Sequence, residues 1–436
     1  MGVFKFSPGD FIFICLGLVL LLLDIVLDIV AVVSFYQEKD YASLCILLLL
    51  LVGSSVLVQV FSWLWYSYED ENEDQRQTKV EKCLSPCMLK LLHVLQLGIY
   101  FRHAGVVELS LCSSYSDIRD PEGVSVYLSH DLSMLRLIEA FSESAPQLLL
   151  MLTIILQSGE LGPVTVLKAC GSVSAIAFSV TMYHRSLRSF LPDKEKQRMM
   201  SSVAYFLWNL LLISSRLVAL TLFASALPCF VFAHFFCSWL VLLFFVWRSK
   251  TDFMESPCGE WLYRATVGLI WYFDWFNVAE GRTRYRTLLY HGYMLMDISL
   301  LCALWCWKMS PDPPYFEVPP LYAVITAVSV VAVYILGLLF KLLYYRCYHP
   351  NLAKEELKGD ARVGQGATRL QTFSGDEIDS PMSSATEDVP EDEHYQSLRI
   401  LEADTDVTDR SGPRAPAPDI KRCNKRMRKL AENFYS

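Results

Sequence analysis

The sequence predicts an all-α polytopic membrane protein, with about eight transmembrane helices plus two re-entrant segments in two pseudo-symmetric lobes and a disordered cytosolic C-terminal tail. Three observations predict it. The 436 residues are 53% hydrophobic and 19% charged, with a mean hydropathy of +0.32, too little charge to cover a soluble chain of this length. Runs such as Phe11–Val33 and Leu44–Val60 are nearly unbroken apolar stretches, long enough to cross about 30 Å of hydrocarbon at about 1.5 Å per residue. After His349-Pro350 the hydrophobicity collapses. The first run is unlike a cleavable signal: it is long, carries Asp24 and Asp28, and lacks a basic n-region and a small-residue cleavage site.

Ten apolar segments follow one another, at 11–36, 42–66, 88–110, 131–157, 164–184, 202–226, 229–248, 261–279, 287–307 and 321–346. Basic loops decide which of them cross. Arg76–Lys90, Arg185–Arg198, Arg248–Lys250 and Arg282–Arg286 belong in the cytosol by the positive-inside tendency, as do Lys341–Arg346 and the tail. One segment, 261–279, lies between two such loops and so must return to the side it left. Three lie between Lys90 and Arg185, so one of them must also fail to cross. The most polar is 88–110, with His93, Gln96, Arg102, His103 and Glu108. Both termini then lie in the cytosol. Five segments with the third re-entrant are repeated once, with Ser85-Pro86-Cys87 and Ser256-Pro257-Cys258 before the two re-entrant ones. Duplication of this kind is common where a protein builds a membrane pathway. It divides the chain into an N-terminal membrane lobe (1–184), a C-terminal membrane lobe (185–350) and a cytosolic tail (351–436).

Ionisable residues at membrane depth are the main chemical lead. Asp24 and Asp28 are four apart and share a helix face. A carboxylate at the centre of a span costs about 2.5–3.5 kcal/mol on insertion scales, so the pair needs partners or water. Arg102, Arg136, Arg216 and Lys341 are the bases within reach, and Glu139, Glu143, Asp274, Glu280 and Asp297 are further acids. Asp131, Arg136, Glu139 and Glu143 fall loosely on one side of a helix. Ser144-Ala-Pro-Gln147 then interrupts it where irregular backbone must face protein or a polar cavity. Such charges can line a polar route through the membrane or clamp the spans together, and one set can do both. No glycine-rich phosphate loop, GxSxG or HExxH is present. The pattern is that of a non-enzyme with no cofactor, no metal site and no nucleic-acid partner. Most of the thirteen cysteines sit in apolar runs, as buried thiols do.

The tail holds 12 acids and one base over Asp376–Asp409, then six bases over Lys421–Lys429. With few aromatics it cannot bury enough to fold alone. Its end reads as a basic amphipathic helix in which Lys425 and Arg426 flank Met427, Leu430 and Phe434. Asp376-Glu-Ile-Asp379 followed by Ser380 has the form of an executioner-caspase site: acids at P4 and P1, a β-branched residue at P2 and a small residue at P1′. Asp404 and Asp409 end two weaker versions. Cleavage after Asp379, in a flexible segment, would detach the basic helix.

Several stretches together resemble the XK-related family, whose caspase-activated branch consists of phospholipid scramblases. They are Phe61-Ser-Trp-Leu-Trp65, Leu92-His-Val-Leu-Gln-Leu-Gly98, Asp131–Glu139 with Ala145-Pro-Gln147, Tyr205-Phe-Leu-Trp-Asn-Leu-Leu211, Thr251-Asp-Phe253, Glu260-Trp-Leu-Tyr-Arg264 and Trp275–Arg284. The resemblance implies plasma-membrane residence and a single-span immunoglobulin-type chaperone such as basigin or neuroplastin. It also implies a lipid path along intramembrane charges, at Asp10, Asp24, Asp28, Arg102, Asp131, Arg136, Glu139, Arg216 and Asp297. Met182 stands where the family pattern has an acid. The implied activity is caspase-triggered exposure of phosphatidylserine and passive movement of other membrane phospholipids. A secondary transporter, a channel or a non-transporting scaffold subunit are the alternatives from other classes.

Overall fold

The computed structural model describes residues 8–69, 85–112, 121–159, 162–190, 197–249, 251, 253–254, 256–277, 284–310, 313 and 318–348. Among them every regular element is helical: α1 (Pro8–Gln37), α2 (Tyr41–Glu69), α3 (Pro86–Val94), α4 (Gly98–Cys112), α5 (Pro121–Glu139), α6 (Ala145–Ser158), α7 (Pro163–Phe190), α8 (Met199–Ala226), α9 (Pro228–Arg248), α10 (Pro257–Phe273), α11 (Arg284–Met309) and α12 (Pro320–Leu343). A π-helical turn, Ala140–Ser144, joins α5 to α6, and a second, Tyr344–Tyr348, extends α12.

Eight stretches are long and apolar enough to cross a membrane: Ile12–Gln37, Tyr41–Ser67, Leu128–Ser158, Val166–Arg188, Met199–Ala226, Pro228–Arg248, Tyr285–Met309 and Pro320–Tyr348. They match the eight expected spans, and α3, α4 and α10 are outside them, where the basic loops put the re-entrant segments. The molecule is inside-out in polarity. Large apolar side chains such as Leu49, Phe230, Phe236 and Phe244 face outwards, while Arg102, Arg188 and Arg216 are among the most enclosed side chains. Lipid, not water, is the solvent that favours this arrangement.

The two short elements start alike. Ser85 and Ser256 each cap a helix that opens on proline, accepting from the backbone N–H of Met88 (3.2 Å) and Gly259 (3.1 Å). The hydroxyl satisfies a donor that the first turn leaves open, and proline has no such N–H to lose. Glu260 then pins α10 to the preceding loop. It accepts from the N–H of Phe253 (2.9 Å) and Met254 (2.8 Å) and from Thr251 Oγ1 (2.5 Å), while Arg264 donates to the Thr251 carbonyl (2.7 Å).

α8 is the central post. It packs on α6, α7, α9, α11 and α12, and 67% of its most apolar stretch is buried, against 11% for α1. α12 approaches α8 closely at Gly337, where a Cβ would lie 2.7 Å from Leu212. By contrast α1 touches α2 and, more lightly, α4 and α7.

The re-entrant segment 88–110 is two helices: α3 ends at Val94 with Leu95 as its cap, Gln96 takes a left-handed φ of 63°, and α4 starts at Gly98. Gly98 is needed there because a Cβ would meet the His93 ring at 2.5 Å. We expect Gly98→Ala to cost about 1–3 kcal/mol by overpacking, read as a lower melting temperature in detergent. Two expectations need correction. Ser144–Gln147 does not break its helix. The π-turn widens the backbone by one residue just before Pro146, absorbing a ring that would clash with a regular preceding turn. Finally, the described cysteines are free, and Cys15, Cys45 and Cys170 are exposed on apolar helices, with Cys302 buried. A thiol is apolar enough to face lipid.

Candidate functional site

The sequence-predicted charges separate into a half-open seam and two enclosed clamps. The seam lies between α1 and the α5–α6 helix. Arg136 Nη1 donates to Glu139 Oε2 (2.6 Å), and its Nη2 lies 4.0 Å from Asp24 Oδ2. One turn along, Gln147 Nε2 donates to Asp28 Oδ1 (2.8 Å), and Glu143 lies against Asp28. Ser142 joins Ser54 of α2 at 2.7 Å. Arg136, Glu139, Glu143 and Gln147 recur at intervals of three and four, so they share the face turned towards Asp24 and Asp28. Four carboxylates thus meet one guanidinium. Asp24 is 27% exposed and Arg136 17%, on the border of the most loosely packed helix. Carboxylate oxygens of Asp24, Glu139 and Glu143 lie within 4.8 Å of one another, close enough to hold a divalent cation.

A cavity of about 70 Å³ adjoins the seam between α1, α4, α5 and α7. Arg136, His103 and Ser133 line it along with Phe13, Ile14 and Met182. Burial pushes the His103 imidazole down to about 4, so it lines this space uncharged.

Asp131 does not join that face, although the sequence reading grouped it there. It lies five residues before Arg136, about 140° round the helix at about 100° per residue. It instead accepts from Arg102 Nη1 (3.2 Å), with side chains 1% and 0% exposed. Arg102 Nε donates to Ser62 Oγ (3.0 Å), its Nη2 donates to the Ser62 carbonyl (3.1 Å), and its guanidinium lies 3.8 Å over the Tyr66 ring. His93 bonds Ser62 as well (3.0 Å), so the α3–α4 hairpin is fastened to α2 and α5 by one polar chain.

The second clamp centres on α8. Arg216 Nη1 bonds Asp297 Oδ2 of α11 (2.5 Å), and its Nε donates to the Tyr272 carbonyl of α10 (3.0 Å). His234 of α9 links Asp297 Oδ1 (3.1 Å) to Tyr272 Oη (3.0 Å). Sequence reasoning missed His234. Its signal was a lone ionisable residue inside the apolar run of α9.

Lys341 Nζ donates to His291 Nε2 (3.1 Å), which leaves His291 Nδ1 facing Tyr334 Oη (2.9 Å). Asp274, just past α10, is 4% exposed. Burial pushes its carboxyl up to about 7, with the Trp275 N–H and the charge of Lys341 opposing. Asp10 has no described side chain. Asp376, Asp379, Ser380, Asp404, Asp409, Lys425, Arg426, Met427, Leu430 and Phe434 lie outside the described residues.

Residues 12–350 match the family described as XK-related protein. The chain belongs to the XK-related family. Curated XK-related relatives are similar across most of its length. It is 45% identical over 356 residues to XK-related protein 8 of Tetraodon nigroviridis, covering 80% of this chain and 86% of that one. It is 44% identical over 353 residues to XK-related protein 8 of Gasterosteus aculeatus, with the same coverage. Against XK-related protein 8 of Pan troglodytes it is 38% identical over 350 residues, covering 78% and 84%. The XK-related match takes in all eight spans and both clamps.

Proposed function

We propose that this XK-related protein exchanges phospholipids between leaflets without ATP or bond chemistry, and that it exposes phosphatidylserine at the plasma membrane. The seam carries this reading. Its four carboxylates against one guanidinium leave it short of positive charge, whereas each clamp joins its buried guanidinium to a carboxylate. It is partly open, and it borders a helix that can give way without disturbing the α8 core. A headgroup amine can pass along the carboxylates and its phosphate can meet Arg136, while the acyl chains stay in the bilayer.

In this reading both termini are cytosolic, and the basic helix around Lys425–Phe434 docks on the cytosolic face of the uncut chain. An executioner caspase cuts behind Asp379. The helix then falls from a tethered effective concentration, about millimolar for a short flexible link, to its bulk value. A single-span immunoglobulin-type chaperone accompanies the protein to the surface.

The test is reconstitution of the chain truncated after Asp379, with its chaperone, into liposomes carrying a fluorescent lipid in both leaflets. A membrane-impermeant reductant should bleach both leaflets, and only the outer one with the uncut chain. If the truncated chain leaves inner-leaflet label protected, lipid exchange is not its activity. In apoptotic cells Asp379→Ala should abolish cleavage and exposure, and persistent cleavage would move the site to Asp404 or Asp409.

A further inference from the structure

A second polar space lies within the protein, lined by none of the seam charges. It is a cavity of about 50 Å³ where α5, α7, α8, α11 and α12 meet the segment after α10. Tyr205, Trp208, Asp274, Trp275, His291 and Lys341 contribute to its walls. Asp274 Oδ1 accepts from the Trp275 N–H (2.9 Å), but Oδ2 is buried and receives no donor. A buried acceptor left unsatisfied is costly, and natural structures fill such a position with an ordered water, an ion or a ligand group. The rest of the lining suits a charged guest. Tryptophan and tyrosine faces attract cations, and Lys341, 5.5 Å from the Trp208 ring centroid, supplies a positive charge opposite in sign to Asp274.

We propose that this cavity binds a zwitterion bearing a primary ammonium and an anionic group, the chemistry of an aminophospholipid headgroup. An ammonium N–H satisfies Asp274 Oδ2 while the aromatic rings enclose its charge. The anionic end faces Lys341, for which charge-assisted hydrogen bonds are strong. The space holds about four water-sized groups, the bulk of an aminoethyl arm. A quaternary ammonium has no N–H and leaves Oδ2 unsatisfied. A glycerol headgroup has no cation at all. This site goes beyond lipid exchange, since it makes the protein a receptor for one headgroup class whether or not the ligand is moved.

The experiment is calorimetric titration of the full detergent-solubilised chain with four probes: glycerophosphoethanolamine, dihexanoyl phosphatidylethanolamine, glycerophosphocholine and dihexanoyl phosphatidylglycerol. The ethanolamine probes should bind, with the choline and glycerol probes weaker by about tenfold or more. Asp274→Asn should weaken ethanolamine binding by about ten- to a hundredfold. If that variant does not fold, Lys341→Gln carries the test: it should weaken binding of both ethanolamine probes by about tenfold, since it removes the charge opposite their phosphate. Equal binding of the deacylated and dihexanoyl ethanolamine probes identifies a free headgroup as sufficient, and binding of the lipid alone identifies the lipid. Both support the site. Indifference among the four probes, or unchanged binding in the variants, overturns it. No leaflet transfer is measured, so its failure leaves lipid exchange standing, and the reverse holds too.

Discussion

Arg216→Met should leave little monodisperse protein. Arg216 is 1% exposed and joins α8 to α10 and α11 through the Tyr272 carbonyl and Asp297. Its guanidinium also lies 5.0 Å from the Tyr272 ring centroid. Removing it strands Asp297 with only His234 opposite. Breaking a buried pair from one side costs about 3–5 kcal/mol, a large share of the roughly 5–15 kcal/mol that keeps a domain folded. Because most of that cost is the stranded carboxylate, Arg216→Met with Asp297→Leu should recover much of the loss. Melting temperature and size-exclusion profile in detergent give the comparison. If the single and double variants melt together, the pair is not a clamp.

The seam should answer in the opposite way. Asp28→Asn with Glu143→Gln replaces two neighbouring carboxyl groups with neutral amides while keeping the acceptor that Gln147 uses. The melting temperature should hold or rise, because neutral amides remove the burial cost and mutual repulsion of ionised carboxyl groups at this position. Lipid exchange by the truncated chain should fall about tenfold or more, equivalent to ~1.4 kcal/mol on the barrier. Unchanged exchange at unchanged stability would remove the seam from the path. Together the two experiments separate charges that hold the helices from charges that serve what passes between them.

Much of this architecture was legible because loop charges are a local signal. Arg248–Lys250 and Arg282–Arg286 bracket α10, and no knowledge of its contacts was needed to set it apart from the eight long apolar helices. The turn at Leu95–Leu97 was not legible, because Gln96 and Gly98 acquire their meaning only from the His93 ring packed beneath them. The site divides similarly. Arg136, Glu139 and Glu143 share a face by helical spacing, so their meeting could be read along one segment. Asp131 was grouped with them in error, since its partner Arg102 is 29 positions earlier on another helix. Nothing in the spacing of α5 records that pairing. His234 was passed over because an isolated histidine in an apolar helix has no local partner to announce it, and both of its partners arrive from other helices.

The clamp at Arg216 also sets a condition on biosynthesis. Its counter-ion lies 81 residues downstream, so at roughly 5–20 residues per second the ribosome needs about 4–16 s to supply it. For the Arg102–Asp131 pair, 29 residues apart, the wait is about 1.5–6 s. During that interval α8 has to enter the bilayer with an uncompensated guanidinium or stay in the translocon until α11 emerges. A stalled chain ending before Asp297 should therefore leave Arg216 reactive to a water-borne guanidine reagent, and one extended far enough for α11 to have left the ribosome should not. The helix that is most enclosed in the finished protein thus receives its counter-ion only after α9 and α10 have been made.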